Sequence, residues 1–294
     1  MFIIISNTSV AQGKTVIIDA HQHFWRIDRG DYSWMDDRVA AIRRDRVPRD
    51  LDPHVRACGV AGTVVVQAAP TLAETRYLLD LARRTPLIRG VVGWLDLTGD
   101  VPAQIAALTD PALRGIRPML QDIAQTDWIL RADVRAGLAH LAAAGLRLDA
   151  LVTPRHLPAI TALARDMPDL AIVIDHCAKP VFSGTDPGDD WRAGLARLAA
   201  FPQVYCKLSG LANEYGPGWS AEALRPAFDT VLELFGPARL MWGSDWPVLD
   251  LAGDYGAWFA AAQDLARGLS VSERAAIFGK TATMFYALDG TIRG

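Results

Sequence analysis

Histidines, carboxylates and long cations recur in this sequence directly after short apolar runs. The first such place reads Val-Ile-Ile-Asp-Ala-His-Gln-His-Phe-Trp over 16–25. Its start, with three β-branched residues, has the composition of a strand buried on both faces. Side chains two apart on a strand share a face, so His21 and His23 point the same way. Two imidazoles on one face form a common metal-ligand spacing and are candidate acid–base groups near neutral pH. Asp245 follows a late Leu-Met-Trp run, inside Gly-Ser-Asp-Trp-Pro. Between these two places, the ends of other apolar runs carry Gln67, Arg117, Asp149, His176, Lys179 and Lys207.

Such a set suits water attack on an electrophilic carbonyl. Asp245 is expected to act as base, with His21, His23 and His176 orienting the water or polarising the carbonyl. Gln67, Arg117 and Lys207 are expected to bind substrate hydroxyls. Trp25, Trp34 and Trp246 are expected to wall an apolar ring face. Each residue also has a bland reading. A strand-end histidine is often a satisfied polar group. Asp149, Arg117 and Lys207 also suit ion pairs inside a barrel. Trp219 suits packing of a rim loop equally well. His54, His140 and His156 read as surface, and Cys177 and Cys206 as core filler.

The elements that must position these groups alternate strictly. Eight strand candidates start near 16, 62, 88, 113, 146, 170, 204 and 239, and helical spacing separates almost all of them. Thr153-Pro154 opens one helix and Ser220 another. Gly145 and Gly236 end helices, and Ser270-x-x-Glu273 is a capping box. Eight β–α units in under 300 residues predict one (β/α)8 barrel domain over 16–294, which gathers the strand ends on one face. A doubly wound sheet is the other arrangement. No Gly-x-Gly-x-x-Gly follows a strand, and Gly279-Lys280-Thr281 lacks the upstream glycine of a phosphate loop, so no nucleotide cofactor is expected. The charged connection 26–49, with Tyr32, Trp34 and Met35, predicts a lid or substrate wall.

With 51% hydrophobic residues, the chain can fill a large core. A formal net charge of −3 gives no basic face, which argues against nucleic acid and anionic membrane as partners. Three cysteines form no even framework and no Cys-x-x-Cys, so reduced thiols and a cytoplasmic location are expected. Residues 1–15 read as a mobile extension, with an apolar stretch too short for a signal segment or a membrane span.

Five ordered stretches resemble the amidohydrolase superfamily, in the branch of sugar-acid lactonases and 2-pyrone-4,6-dicarboxylate hydrolase. They are Ile-Asp-Ala-His-Gln-His-Phe-Trp (18–25), Asp-His-Cys-Ala-Lys-Pro (175–180), Cys-Lys-Leu-Ser-Gly-Leu (206–211), Met-Trp-Gly-Ser-Asp-Trp-Pro (241–247) and Ile-Phe-Gly-Lys-Thr-Ala…Phe-Tyr (277–286). The resemblance implies a barrel hydrolase that opens a cyclic ester. It puts His21, His23, His176 and Asp245 at the metal position. The sequence departs from the two-metal pattern. Arg117 stands where a bridging lysine or glutamate is expected, and Asp149 where a histidine is. One zinc ion, partly occupied or dispensable, is therefore the expected cofactor. The small-molecule substrate expected is a fucono- or galactono-1,5-lactone. The other readings are a pyrone-dicarboxylate hydrolase, a zinc-dependent decarboxylase and a non-catalytic sugar-binding barrel.

Overall fold

The structure is a computed structural model that describes residues 16–288. The extension expected over 1–15 lies outside the described residues. Eight short apolar segments form β1 (Ile17–Gln22), β2 (Val60–Val66), β3 (Ile88–Gly93), β4 (Leu113–Ile116), β5 (Arg147–Ala150), β6 (Ile172–Ile174), β7 (Val204–Leu208) and β8 (Leu240–Trp242). They pair in parallel, in chain order. A parallel bridge between Gln22 and Trp246 returns the last strand to the first. This is the single (β/α)8 barrel expected. Pairing in chain order has no reversal point, which excludes a doubly wound sheet.

The helices start and stop on local signals. Thr71 Oγ1 accepts from Glu74 N at the start of the helix Leu72–Arg84, which buries Leu78 and Leu79 against the sheet. Ser220 caps Ala221–Phe235, and Gly236 follows it at a φ of 66°. Ser270 and Glu273 form the expected capping box. The strands are shorter than their apolar runs. β6 ends at Ile174, and His176, Cys177, Ala178 and Lys179 then all take φ between 51° and 59°. Four successive left-handed residues without glycine are costly for L-amino acids. They break the strand that 170–177 predicts.

The seam between β8 and β1 is held by a buried carboxylate. Asp19 Oδ1 accepts from His21 N at 3.1 Å and from Ser244 N at 2.9 Å, while Oδ2 accepts from Tyr255 OH at 2.9 Å. Burial pushes this carboxyl up to about 6, against the pull of those donors. Position 243 must be glycine, because a Cβ there would lie 2.7 Å from the His21 Cβ.

The connection after β1 is a packed wall. Trp25 exchanges backbone hydrogen bonds with Arg46, and Trp34 Nε1 donates to the Ala68 carbonyl at 2.8 Å. Tyr32 OH donates to Glu74 Oε2 at 2.7 Å, which ties the loop to the helix beginning at Leu72. Burial pushes the Glu74 carboxyl up to about 7, while Tyr32, the Ala68 N–H and Arg29 pull it down. Folded Glu74 therefore holds its proton more tightly than unfolded Glu74. Its contribution to stability is full below the ordinary value of 4.5 and is lost as pH rises through about 7. Melting temperatures of the wild type and Glu74→Gln, taken from about pH 4 to about pH 8, test this. The gap between the two proteins should narrow or reverse as pH rises. A gap that stays constant would contradict it.

Candidate active site

Three strands deliver the imidazoles and the carboxylate to the same end of the barrel. His21 lies in β1 and His23 just beyond it. His176 sits on the left-handed turn after β6, and Asp245, at a φ of 60°, follows β8. His21 Nε2 and His23 Nε2 face each other at 3.3 Å. Asp245 Oδ1 lies 3.3 Å from His23 Nε2, 3.7 Å from His21 Nε2 and 3.9 Å from His176 Nε2. All four side chains are nearly or fully buried.

The protonation states follow from the partners. His23 Nδ1 donates to the Val66 carbonyl at 2.8 Å, so the neutral ring keeps its lone pair on Nε2. Burial and the Lys207 charge hold His21 well below its ordinary value. Burial lowers His176 to about 4, against the pull of Asp245 and Asp175. Burial alone would raise Asp245, but His176, His23 and His21 outweigh it and hold the carboxyl well below the usual range. At neutral pH the cluster thus holds an ionised carboxylate beside uncharged His21 and His176.

The donor types and spacing of this set suit a metal ion. In a tetrahedral zinc site with bonds of about 2.0–2.1 Å, ligand atoms stand about 3.3 Å apart. His21 Nε2, His23 Nε2 and Asp245 Oδ1 approach that spacing. A proton on one of the two facing ring nitrogens, or a cation, must lie between them. The residues therefore fit one ion. A second cluster, His21, Asp175 and His176, also has ligand types. There the Lys207 ammonium stands 3.1 Å from both His21 Nδ1 and Asp175 Oδ1. A cation already fills that position.

Beyond the cluster opens a cavity of about 150 Å³, walled by His23, His176, Asp245, Arg117, Lys179 and Trp34. Gln121 and Asp122 border its far side. Of the residues expected to touch substrate, Trp34 and Arg117 line this wall. Trp25, Gln67, Lys207 and Trp246 do not, and the expectation for them is corrected. Trp25 stacks behind His23 at 6.3 Å. Gln67 is fully buried and donates to the Arg117 carbonyl at 2.7 Å, and Arg117 Nη2 donates to the Gln67 carbonyl in return. Trp246 packs on Phe24, with ring centres 6.1 Å apart. Lys207 lies in the barrel floor, 2.5 Å from Asp149 Oδ2, which also accepts from Tyr286 OH at 2.7 Å. A strand-end position sets the face of the barrel, but not whether a side chain stands in the top layer or beneath it. His156 is also corrected. It is buried, and its Nδ1 accepts from Thr153 N at 3.1 Å.

Sequence reasoning assigned no role to Asp175, Gln121, Asp122 or Lys179. Asp175 Oδ1 lies 3.4 Å from His21 Nδ1, and Lys207 and His21 outweigh its burial and hold it well below the usual range. Strand alternation would turn Asp175 away from the face of His176, but the left-handed turn brings both inward. Lys179 carries an ion pair to Glu214 at 3.1 Å on the cavity rim. Its adjacency to the Asp-His-Cys turn was the signal available.

Gly210 fixes the His176 ring from behind. Its φ is 68°, and a Cβ would lie 2.6 Å from His176 Nδ1. Gly210→Ala is expected to cost about 1–3 kcal/mol of stability. Displacing the ring should also lower turnover about 100-fold. Thermal melting and initial rates check both effects, and a variant with wild-type turnover would show that the ring position is immaterial.

Comparison with known proteins agrees with this architecture. The Amidohydrolase family, Amidohydro_2, matches residues 18–288. An L-fucono-1,5-lactonase from Burkholderia ambifaria is 50% identical over 286 residues, covering 94% of this chain and 97% of the relative. Another, from Burkholderia multivorans, is 40% identical and covers 92% of this chain and 96% of the relative. A crystal structure of a Burkholderia multivorans amidohydrolase with bound zinc superposes with a TM-score of 0.87 at 38% identity, over 92% of this chain and 99% of that one. With its barrel closed on a histidine–aspartate cluster and the family match spanning nearly all of it, the chain belongs to the Amidohydro_2 amidohydrolase family.

Proposed function

We propose that this protein hydrolyses a sugar-acid lactone of the L-fucono-1,5-lactone type to the open-chain aldonic acid. The observation that carries the reading is the convergence of an ionised Asp245 with His21, His23 and His176 at the mouth of the barrel. The 50% identical relative named as an L-fucono-1,5-lactonase supports the same class.

A water held between Asp245 and the imidazoles attacks the lactone carbonyl carbon, and Asp245 Oδ1 takes its proton. Arg117 and Lys179 face the same cavity and stabilise charge developing on the carbonyl oxygen. The tetrahedral intermediate collapses with cleavage of the bond to the ring oxygen. Asp245 returns the proton to that leaving oxygen. The product carboxylic acid ionises, so each turnover releases one proton at neutral pH. Asp245 is a weak base in this setting, which suits a lactone better than an amide because its carbonyl is more electrophilic. His21, His23 and Asp245 would hold zinc, with His176 at the edge of the set. Zinc there would supply Lewis-acid activation of the water.

The cavity favours a neutral polyol over a dicarboxylate. Arg117 and Lys179 are balanced by Asp122 and Asp245 around the same cavity. Two substrate carboxylates would call for a cluster of arginines instead. We also assign the protein to a reducing compartment, since Cys58, Cys177 and Cys206 are all unpaired.

Asp245→Asn should lower kcat by about 10²–10⁴-fold on L-fucono-1,5-lactone, followed by proton release with a pH indicator. Asparagine accepts the left-handed backbone at this position, so the fold should persist. Turnover within a few-fold of wild type would remove Asp245 from the mechanism. Zinc titrated into chelator-treated protein should saturate at about one ion per chain and bind at least tenfold more weakly in His23→Ala. Two ions of equal affinity would contradict the assignment of the second position to Lys207.

A further inference from the structure

A second cavity, of about 430 Å³, adjoins the catalytic one. The two share Trp34, Met119 and Asp122 as a common wall. The far side is built by the connection after β3, with Trp94 and Leu95, and by the connection after β4, with Trp128. Trp94, Leu95 and Trp128 make no contact with the histidine–aspartate cluster and do not line the catalytic cavity, so catalysis alone does not account for this part of the space.

Its chemistry is selective. Three indoles surround it: Trp34, Trp94 and Trp128. Trp34 spends its N–H on the Ala68 carbonyl. The N–H groups of Trp94 and Trp128 have no hydrogen-bond partner among the described residues. The Asp122 carboxylate, on the wall between the cavities, likewise has no hydrogen bond or ion pair among the described residues. A second carboxylate, Asp96, is held by Thr98 through Oδ1. Among the described residues, no lysine, arginine or histidine lines the space. An anionic extension of the substrate would meet two carboxylates with no cation, which is unfavourable. An alkyl chain would cover the indoles but make no use of the Asp122 carboxylate or the two N–H donors. A sugar ring satisfies both demands. Its C–H faces stack on indoles, and its hydroxyls donate to a carboxylate and accept from N–H groups.

We propose that this cavity is a subsite for a second, neutral sugar ring, so that the enzyme accepts aldonolactones bearing an O-glycosyl group. The proposal rests on the lactonase reading. The reacting ring occupies the catalytic cavity, the glycosidic link passes Trp34 and Asp122, and the outer ring stacks between Trp94 and Trp128.

The test compares L-fucono-1,5-lactone with the same lactone glycosylated on O2, O3 or O4, in the wild type and in Trp94→Ala, Trp128→Ala and the double variant. At least one glycosylated lactone should be turned over. Its kcat/KM should fall about tenfold in the double variant relative to the parent lactone measured in the same preparation. The parent lactone reports folding and the chemistry of the first cavity, and its turnover should be unchanged. If the parent is hydrolysed and no glycosylated lactone is, the subsite is refuted and the lactonase reading stands. Equal losses on parent and glycosylated lactones also refute it. If O-alkyl or O-benzyl lactones show the tryptophan dependence and the glycosylated ones do not, the cavity serves an apolar substituent and the proposal falls. No turnover of the parent refutes the lactonase reading itself.

Discussion

The site depends on how β8 closes against β1. These strands come from opposite ends of the chain, and their pairing brings His23 within 3.3 Å of Asp245. Two backbone hydrogen bonds fix the register, Asp245 N to the His21 carbonyl and His23 N to the Trp246 carbonyl, both at 2.8 Å. Asp19 reinforces the seam by accepting from both strands and from Tyr255. A slip of one residue would turn His21 and His23 away from Asp245, because strand side chains alternate between faces. The absence of a side chain at Gly243 lets the strands approach closely enough.

Beneath the histidines lies a layer of buried charge. Lys207 contacts Asp149, Asp175 and His21, and Arg117 reaches Asp175 at 3.7 Å. Opposite charges stand close enough for mutual attraction to offset part of their desolvation. Removing one partner of such a set costs about 3–5 kcal/mol, because an uncompensated charge remains. Hydrophobic residues could fill the same volume. The charged layer adds control of His21, whose Nδ1 faces both Lys207 and Asp175 while its Nε2 faces His23. The floor thereby decides which nitrogen of His21 is available to the site above it.

The upper wall is built from loops whose own packing is extensive. Trp34 is held through its N–H, Tyr32 through Glu74, and Lys179 through Glu214. These ties hold the cavity open in one shape before substrate arrives, which lowers the ordering cost of binding. The wall carries both signs of charge, so selection among ligands rests on hydrogen-bond pattern and ring shape more than on net charge.

Much of this was legible in the sequence because it depends on local rules. Apolar runs alternating with capped helices predict eight β–α units, and the barrel then places His21, His23, His176 and Asp245 on one face. What the sequence could not give is depth. Lys207, Gln67, Trp25 and Trp246 lie at the right end of the barrel, yet they are covered by side chains of other strands and of the connections above them. Whether a residue is in the top layer depends on the register of eight strands together, and no single segment encodes that. The turn after β6 is also tertiary. A run such as Ile-Val-Ile-Asp-His-Cys reads as continuous strand, whereas contacts with Trp191, Lys207, Ser209 and Gly210, distant in sequence, surround the four left-handed residues that bring Asp175 and His176 inward together. Sequence determined which chemistry the chain carries, because side-chain type and periodicity are local. Tertiary structure decided which of those groups meet the cavity, because burial is a property of the whole barrel.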